Sequence, residues 1–213
     1  MQNAKQVKVK YIKLILLQLI GPTLAFLLAF LVGGIFILII GKDPLDVYSR
    51  FFFETLGNSY GIGQVLFKAT PLMFTGLSAA IGFRAGLFNI GAEGQLTIGA
   101  FLTALVGFTF VSLPSVILIP LCLIAGVVGG ALWGAIPGYL KARFGAHEVI
   151  NTIMMNFIAA ALISYLVNNV FAVPATIHTP QIAESAEILR LDYLTEAFRG
   201  SPVNLSLFLA LLM

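Results

Sequence analysis

The chain has 213 residues, of which 59% are hydrophobic and 10% are charged, and its formal net charge at pH 7 is +3. A mean hydropathy of +1.00 excludes an ordinary soluble domain, because so apolar a surface would aggregate in water. The small positive balance does not indicate nucleic-acid binding, since much of it comes from one short N-terminal cluster. We expect an all-α, polytopic transmembrane helical bundle with five complete spans and the start of a sixth.

The N-terminal cluster consists of Lys5, Lys8, Lys10 and Lys13. Because cytoplasmic segments of membrane proteins are enriched in cations, residues 1–13 are predicted to be cytoplasmic and residues 14–213 to form the transmembrane domain. The first span is expected over about residues 14–40, where the chain carries no charge. A cleaved signal peptide is the alternative, but its apolar region is shorter, about 7–15 residues.

Four further apolar segments follow in chain order. They are predicted to be helices over about residues 62–83, 90–111, 116–140 and 149–171. Between the first two spans, Phe51, Phe52 and Phe53 lie beside several charged residues, which predicts a segment in the membrane interface. The second span contains Lys68 and Pro71, and we expect it to be short and interrupted.

Residues 174–204 differ in composition from the spans, because they combine three prolines with six charged side chains. They are predicted to form an extracellular loop, and a loop of this length suggests a function. A new apolar run begins after Leu205 but is too short to cross a bilayer before Met213. We therefore expect this sequence to be the front part of a longer protein, incomplete at its C-terminus.

The fourth span contains a row of small residues at every fourth position. The row consists of Gly126, Gly130, Gly134 and Gly138. Such a row lies along one face of a helix and allows another helix to approach closely. The pattern predicts helix packing in a bundle and does not indicate which bundle.

Residues 82–99 are rich in glycine and hold several polar side chains, including Arg84, Asn89, Glu93 and Gln95. So many glycines argue against a single straight helix. A broken helix with polar side chains is typical of a substrate path in transporters. The alternative is an ordinary turn at the membrane surface, flanked by Arg84 and Glu93.

The fifth span opens with a polar stripe, in which Glu148, Thr152 and Asn156 recur at four-residue spacing and Asn151 lies alongside. A polar stripe on an apolar helix faces the bundle interior or water. Helix capping with interhelical hydrogen bonds is one interpretation, and the lining of a pathway is the other. The predicted cytoplasmic-face residues are Arg84, Lys141, Arg143 and Glu148.

The sequence lacks the motifs that would indicate ATP binding, metal binding or a catalytic triad. The chain has no phosphate-binding loop of the G-x-x-x-x-G-K-[ST] type, so any ATP, with its Mg²⁺, is expected on a partner subunit. His147 and His178 have no neighbour at metal-ligand spacing, so no metal site is predicted. The same two histidines fall on opposite sides of the predicted topology, which argues against a catalytic triad. We expect no enzyme activity and no cofactor in this chain.

Three motifs, PLMFTGLSAAIGF, FRAGLFNIGAEGQLTIGA and KARFGAHEVINTIMMNFIA, resemble the permease subunit of bacterial ABC importers of the branched-chain amino acid and ribose type, in the branch for simple sugars and nucleosides. The resemblance implies a second permease subunit, two cytoplasmic ATPase subunits, an extracellular substrate-binding lipoprotein and a location in the bacterial inner membrane. It also places two motifs near the substrate path. With Thr152 from the polar stripe, the predicted path residues are Phe88, Asn89, Gly91, Glu93, Gln95, Asn151, Thr152 and Asn156.

The sequence thus predicts a permease subunit in contact with membrane lipids, and no nucleic-acid partner. Its amide side chains suit a neutral polar solute, a nucleoside or a simple sugar, because amides offer both donors and acceptors. One alternative is an ion-coupled secondary transporter, which requires intramembrane carboxylates where only Glu93 is available. Another is a non-catalytic membrane scaffold subunit.

Overall fold

The computed structural model describes residues 19–213 in full and the helical backbone of residues 2–18. The α-helices of this part of the chain are α1 (Gln2–Ile39), α2 (Pro44–Leu56), α3 (Ser59–Arg84), α4 (Ala92–Thr109), α5 (Ser115–Phe144), α6 (Glu148–Tyr165) and α7 (Ser206–Leu212). A π-helical segment, Leu166–Val170, extends α6. The all-α prediction is therefore confirmed, with a single isolated bridge between Arg190 and Asn204 as the β-type pairing in the described residues.

Four helices are long and apolar enough to cross a membrane. They are Leu19–Ile39, Ser59–Arg84, Ser115–Phe144 and Glu148–Val170. The chain is thus a multi-pass membrane protein, but the predicted count of five spans and the start of a sixth is not confirmed. Helix α4 is not one of these four helices, because Glu93 and Gln95 in its first turns lower its mean hydropathy.

The chain divides into two compact units, residues 1–61 and residues 62–213. In the first unit, the hydroxyl of Tyr48 on α2 donates a hydrogen bond of 2.6 Å to the carbonyl oxygen of Phe30 on α1. Helix α2 begins at a capping residue, because the Asp43 carboxylate accepts from the amide of Leu45. No residue of α2 is buried.

In the second unit, α4 packs against α5 and α6 around small residues. The backbones approach so closely that a Cβ atom added at Gly99 of α4 would lie 2.8 Å from the carbonyl oxygen of Gly126 on α5. The indole Nε1 of Trp133 on α5 donates a hydrogen bond of 3.3 Å to the carbonyl oxygen of Met155 on α6. Small residues replace bulky ones at such contacts, because lipid gives helices no hydrophobic drive to associate.

Helix α3 is continuous through Pro71, so the predicted interruption of the second span is wrong. Proline removes one backbone hydrogen bond, and nearby hydroxyl groups supply others in a membrane helix. The hydroxyl of Thr70 donates to the carbonyl oxygen of Leu66, and that of Thr75 donates to the carbonyl oxygen of Pro71. The real break comes at the end of α3, where Gly86 has a φ of 72°.

Residues 174–204 fold compactly through short 3₁₀ turns. Leu191 and Val203 are buried together with Leu207 of α7, and Leu66 of α3 packs against them. The amide of Leu191 donates to the carbonyl oxygen of Val203 at 2.8 Å. This segment, predicted as a loop, therefore has its own small apolar core.

Candidate functional site: a polar junction and a cavity beside it

The connection between α3 and α4 is held against α6 by the amide of Asn156. The side-chain oxygen of Asn156 accepts a hydrogen bond of 2.9 Å from the amide of Gly94. Its Nδ2 donates to the carbonyl oxygen of Ile90 at 3.0 Å. One side chain thus satisfies two backbone groups at the N-terminal end of α4, where helix amides have no partner within the helix.

Glu148 makes a second link between the same segments. Its Oε1 accepts a hydrogen bond of 2.9 Å from the amide of Phe88, and its Oε2 pairs with the ammonium group of Lys141. Helix capping was one of the interpretations open to Glu148 in the sequence, and the structure places its carboxylate against the neighbouring connection. Thr152, one turn later, donates to the carbonyl oxygen of Glu148 within α6.

Asn89 and Gln95 form a reciprocal amide pair. Asn89 Nδ2 donates to Gln95 Oε1 at 3.3 Å, and Gln95 Nε2 donates to Asn89 Oδ1 at 3.2 Å. The Asn89 oxygen also accepts from the amide of Gly91 at 3.1 Å. We call this whole cluster the polar junction, and its members are Phe88, Asn89, Ile90, Gly91, Gly94, Gln95, Lys141, Glu148 and Asn156.

The remaining predicted residues lie around the polar junction without joining it. Glu93 is exposed, as are Arg84 and Arg143. The Nδ2 atom of Asn151 is buried and has no hydrogen-bond partner among the described residues. Through Glu148 and Asn156, the α6 stripe makes hydrogen bonds to the connection and to the start of α4.

The glycine row of α5 faces α4 over most of its length. A Cβ atom at Gly126 would meet the Thr103 hydroxyl at 2.6 Å, and one at Gly134 would meet Gln95 Nε2 at 2.9 Å. A Cβ atom at Gly130 would lie 3.4 Å from the carbonyl oxygen of Gln95. Gly138 is different, because nothing lies within 4 Å of its Cβ position.

A cavity of 640 Å³ lies between α3, α4 and α5 beside the polar junction. We call it the α3–α5 cavity. Its lining includes Phe67, Lys68, Phe74, Gln95, Thr103 and Val127. The volume is that of a typical small-molecule site. Gln95 belongs both to this lining and to the polar junction.

Sequence analysis missed most of this lining. It assigned Lys68 to the second span without a role, although a charged residue within a span is itself a signal of function. Phe67, Thr70, Pro71 and Phe74 also recur at helical spacing along one face of α3. That face carries no polar stripe, so its role depends on which helices surround it.

The second unit thus combines apolar helices, a glycine-broken connection between α3 and α4, and a cavity beside that connection. Residues 61–213 match the family described as branched-chain amino acid transport system, permease component. The chain belongs to this family, as its motifs predicted.

Named relatives support the same assignment. The chain is 41% identical over 197 residues to the guanosine ABC transporter permease protein NupP of Bacillus subtilis, covering 91% of this chain and 55% of that protein. It is 43% identical over 145 residues to a glucose ABC transporter permease protein of Haloferax volcanii, covering 68% and 38%. It is 32% identical over 195 residues to the nucleoside ABC transporter permease protein NupB of Lactococcus lactis, covering 90% and 54%.

The chain spans about half the length of the first of these relatives. No solved structure matches it.

Proposed function

We propose that this chain acts in the membrane-spanning permease subunit of an ATP-driven ABC importer, which moves a nucleoside or a simple sugar into the cell. Relatives named as guanosine, nucleoside and glucose permeases support this solute class. ATP and Mg²⁺ are handled by separate cytoplasmic ATPase subunits, and the solute arrives from an extracellular binding lipoprotein. A second permease subunit completes the membrane part.

The observation that carries the proposal is the double role of Gln95. Its amide pairs with Asn89 at the break between α3 and α4, and its side chain also lines the α3–α5 cavity. A movement of the backbone at the break would therefore also move Gln95 in the cavity wall. A transporter needs such coupling, because its solute site must respond to movement of the surrounding helices.

We also propose five crossings, with α4 as the additional one. The N-terminal end of α4 lies at the polar junction through Gly94 and Asn156. At its C-terminal end, the carbonyl oxygen of Gly107 accepts from the amide of Ala183 in the 174–204 segment. Its 18 residues span about 27 Å at about 1.5 Å per residue, close to the thickness of a bilayer core of about 30 Å.

Uptake by the assembled transporter tests the proposal. The permease is reconstituted in liposomes with its ATPase subunits and binding protein, and ATP-dependent uptake of guanosine and of glucose is measured. We expect Gly94→Leu to abolish uptake, because a Cβ atom there would already lie 2.9 Å from the side-chain oxygen of Asn156. Gly138→Leu is the matched control and should retain uptake. Absence of ATP-dependent uptake of both solutes by the unaltered transporter would contradict the proposal.

A further inference from the structure

Lys68 lies in the wall of the α3–α5 cavity and, among the residues that the structure describes, is a cation without a partner. It lies about 14 Å along α3 from Ser59, at about 1.5 Å per residue, and is therefore well inside the span. Within the described part of the chain it makes no ion pair or hydrogen bond. An unpaired cation is costly at this depth, so a ligand that accepts hydrogen bonds would be favoured beside it.

The rest of the cavity wall is mostly apolar. Phe67 and Phe74 lie seven residues apart on one face of α3, with Pro71 between them, and Leu123 and Val127 of α5 also line the cavity. Aromatic rings and aliphatic side chains suit the face of a planar ring.

The hydroxyl groups in the cavity are already engaged as donors. Thr70 donates to the carbonyl oxygen of Leu66, and Thr103 donates to the carbonyl oxygens of Gly99 and Cys122. A simple sugar needs a partner for each of its hydroxyl groups, because buried polar groups without hydrogen bonds are penalised. The cavity offers few free donors for a solute that presents hydroxyl groups alone, whereas a nucleoside adds a planar base that the apolar wall can contact.

A doubly charged ligand is also a poor fit. Of the described residues that line the cavity, Lys68 alone is a cation, whereas a nucleotide phosphate carries about −1.5 to −2 at pH 7. The lysine ammonium group matches a neutral acceptor such as a carbonyl oxygen, to which it donates a charge-assisted hydrogen bond.

We infer that the α3–α5 cavity selects nucleosides whose base carries a ring carbonyl group, with Lys68 donating to that oxygen while Phe67 and Phe74 pack against the ring. This inference rests on the proposed function and narrows its solute class. Lys68 is thus a specificity-determining residue, and nucleosides are the solutes in preference to simple sugars.

Two nucleosides that differ at one edge of the purine ring test the inference. Inosine has a ring carbonyl group beside an N–H group, and purine riboside has a C–H group beside an unprotonated ring nitrogen, so it lacks the acceptor oxygen. Both are offered to the reconstituted transporter at concentrations that saturate the binding protein, so that its affinity does not set the rates, and glucose is measured in parallel. We expect the unaltered transporter to move inosine about tenfold faster than purine riboside, the effect of one hydrogen bond to a charged group.

Substitutions of Lys68 then test whether this residue causes the difference between inosine uptake and purine riboside uptake. Lys68→Met should bring the ratio close to one, and Lys68→Arg should preserve much of it. Lys42→Met, which removes an exposed lysine from the other unit, is the control and should leave the ratio unchanged. Because the ratio compares two ligands in one variant, a loss of folded protein cancels.

The contradicting outcomes separate the two proposals. Uptake with an unchanged ratio in Lys68→Met, or uptake of glucose without either nucleoside, would overturn this inference and leave the importer assignment intact. ATP-dependent uptake of none of these solutes would overturn the importer assignment itself.

Discussion

At the scale of single residues, Asn156 shows how one amide can join two helices. Its oxygen and nitrogen bond to backbone groups on either side of the start of α4. Those groups are backbone groups at the start of a helix, where the helix itself supplies no partner. The spacing of Asn156 from Glu148 was visible in the sequence, but its partners were not, because they lie more than 60 residues away in the chain.

We expect Asn156→Leu to lower the free energy of unfolding by about 1–2 kcal/mol, since it leaves the amide of Gly94 and the carbonyl oxygen of Ile90 without this partner. Asn168→Leu is the matched control. Asn168 is exposed and bonds only to Ser164 within its own helical segment. Thermal unfolding in detergent, followed by circular dichroism, measures both variants. Equal stability of the two would show that the α6 amide does not hold the connection.

At the scale of helices, a glycine of α5 contributes to the close contact with α4 only where it faces that helix. The row of glycines was predictable from its spacing, whereas the choice of partner helix was not. Gly138 continues the row but has open space beside it. Pro71 shows the opposite error, because a local rule predicted an interruption where α3 runs unbroken.

Gly99→Ala is expected to destabilise the protein by about 1–3 kcal/mol, because its Cβ atom would press on the backbone of Gly126 and force α4 and α5 apart. Gly138→Ala should be neutral, or stabilising by up to about 1 kcal/mol, since alanine favours the helix and meets no neighbour. Chemical denaturation in detergent compares the two variants with the parent. The packing argument fails if Gly138→Ala proves the more damaging change.

At the scale of the whole molecule, the sequence predicted the class of fold and the family, because apolar length and long motifs are properties of the chain itself. The polar junction was predicted in part, through the glycine break and the α6 stripe. The α3–α5 cavity was not, because a cavity is formed by the faces of several helices. Whether the chain has four or five spans depends on α4. This helix is apolar except in its first turns, where polar residues lower its hydropathy.

The proposed orientation places residues near Lys141 in the cytoplasm and residues 174–204 outside. Ala142 and Ala197 are both exposed and form a matched pair for cysteine labelling, in a background where Cys122 is replaced. In intact cells, a maleimide that cannot cross membranes should label Ala197→Cys but not Ala142→Cys, and both should react after permeabilisation. The reverse labelling pattern in intact cells would mean that the orientation is inverted.

Helix α4 is attached at both of its ends, to Asn156 near its first turn and to Ala183 near its last. A hydrogen-bonded helix resists stretching, so it behaves as a stiff rod between these two attachments. A displacement of the 174–204 segment at Ala183 would therefore act along α4 toward the break between α3 and α4. If α4 is the fifth crossing, as proposed above, these two attachments would lie on opposite sides of the membrane, and α4 would connect them mechanically.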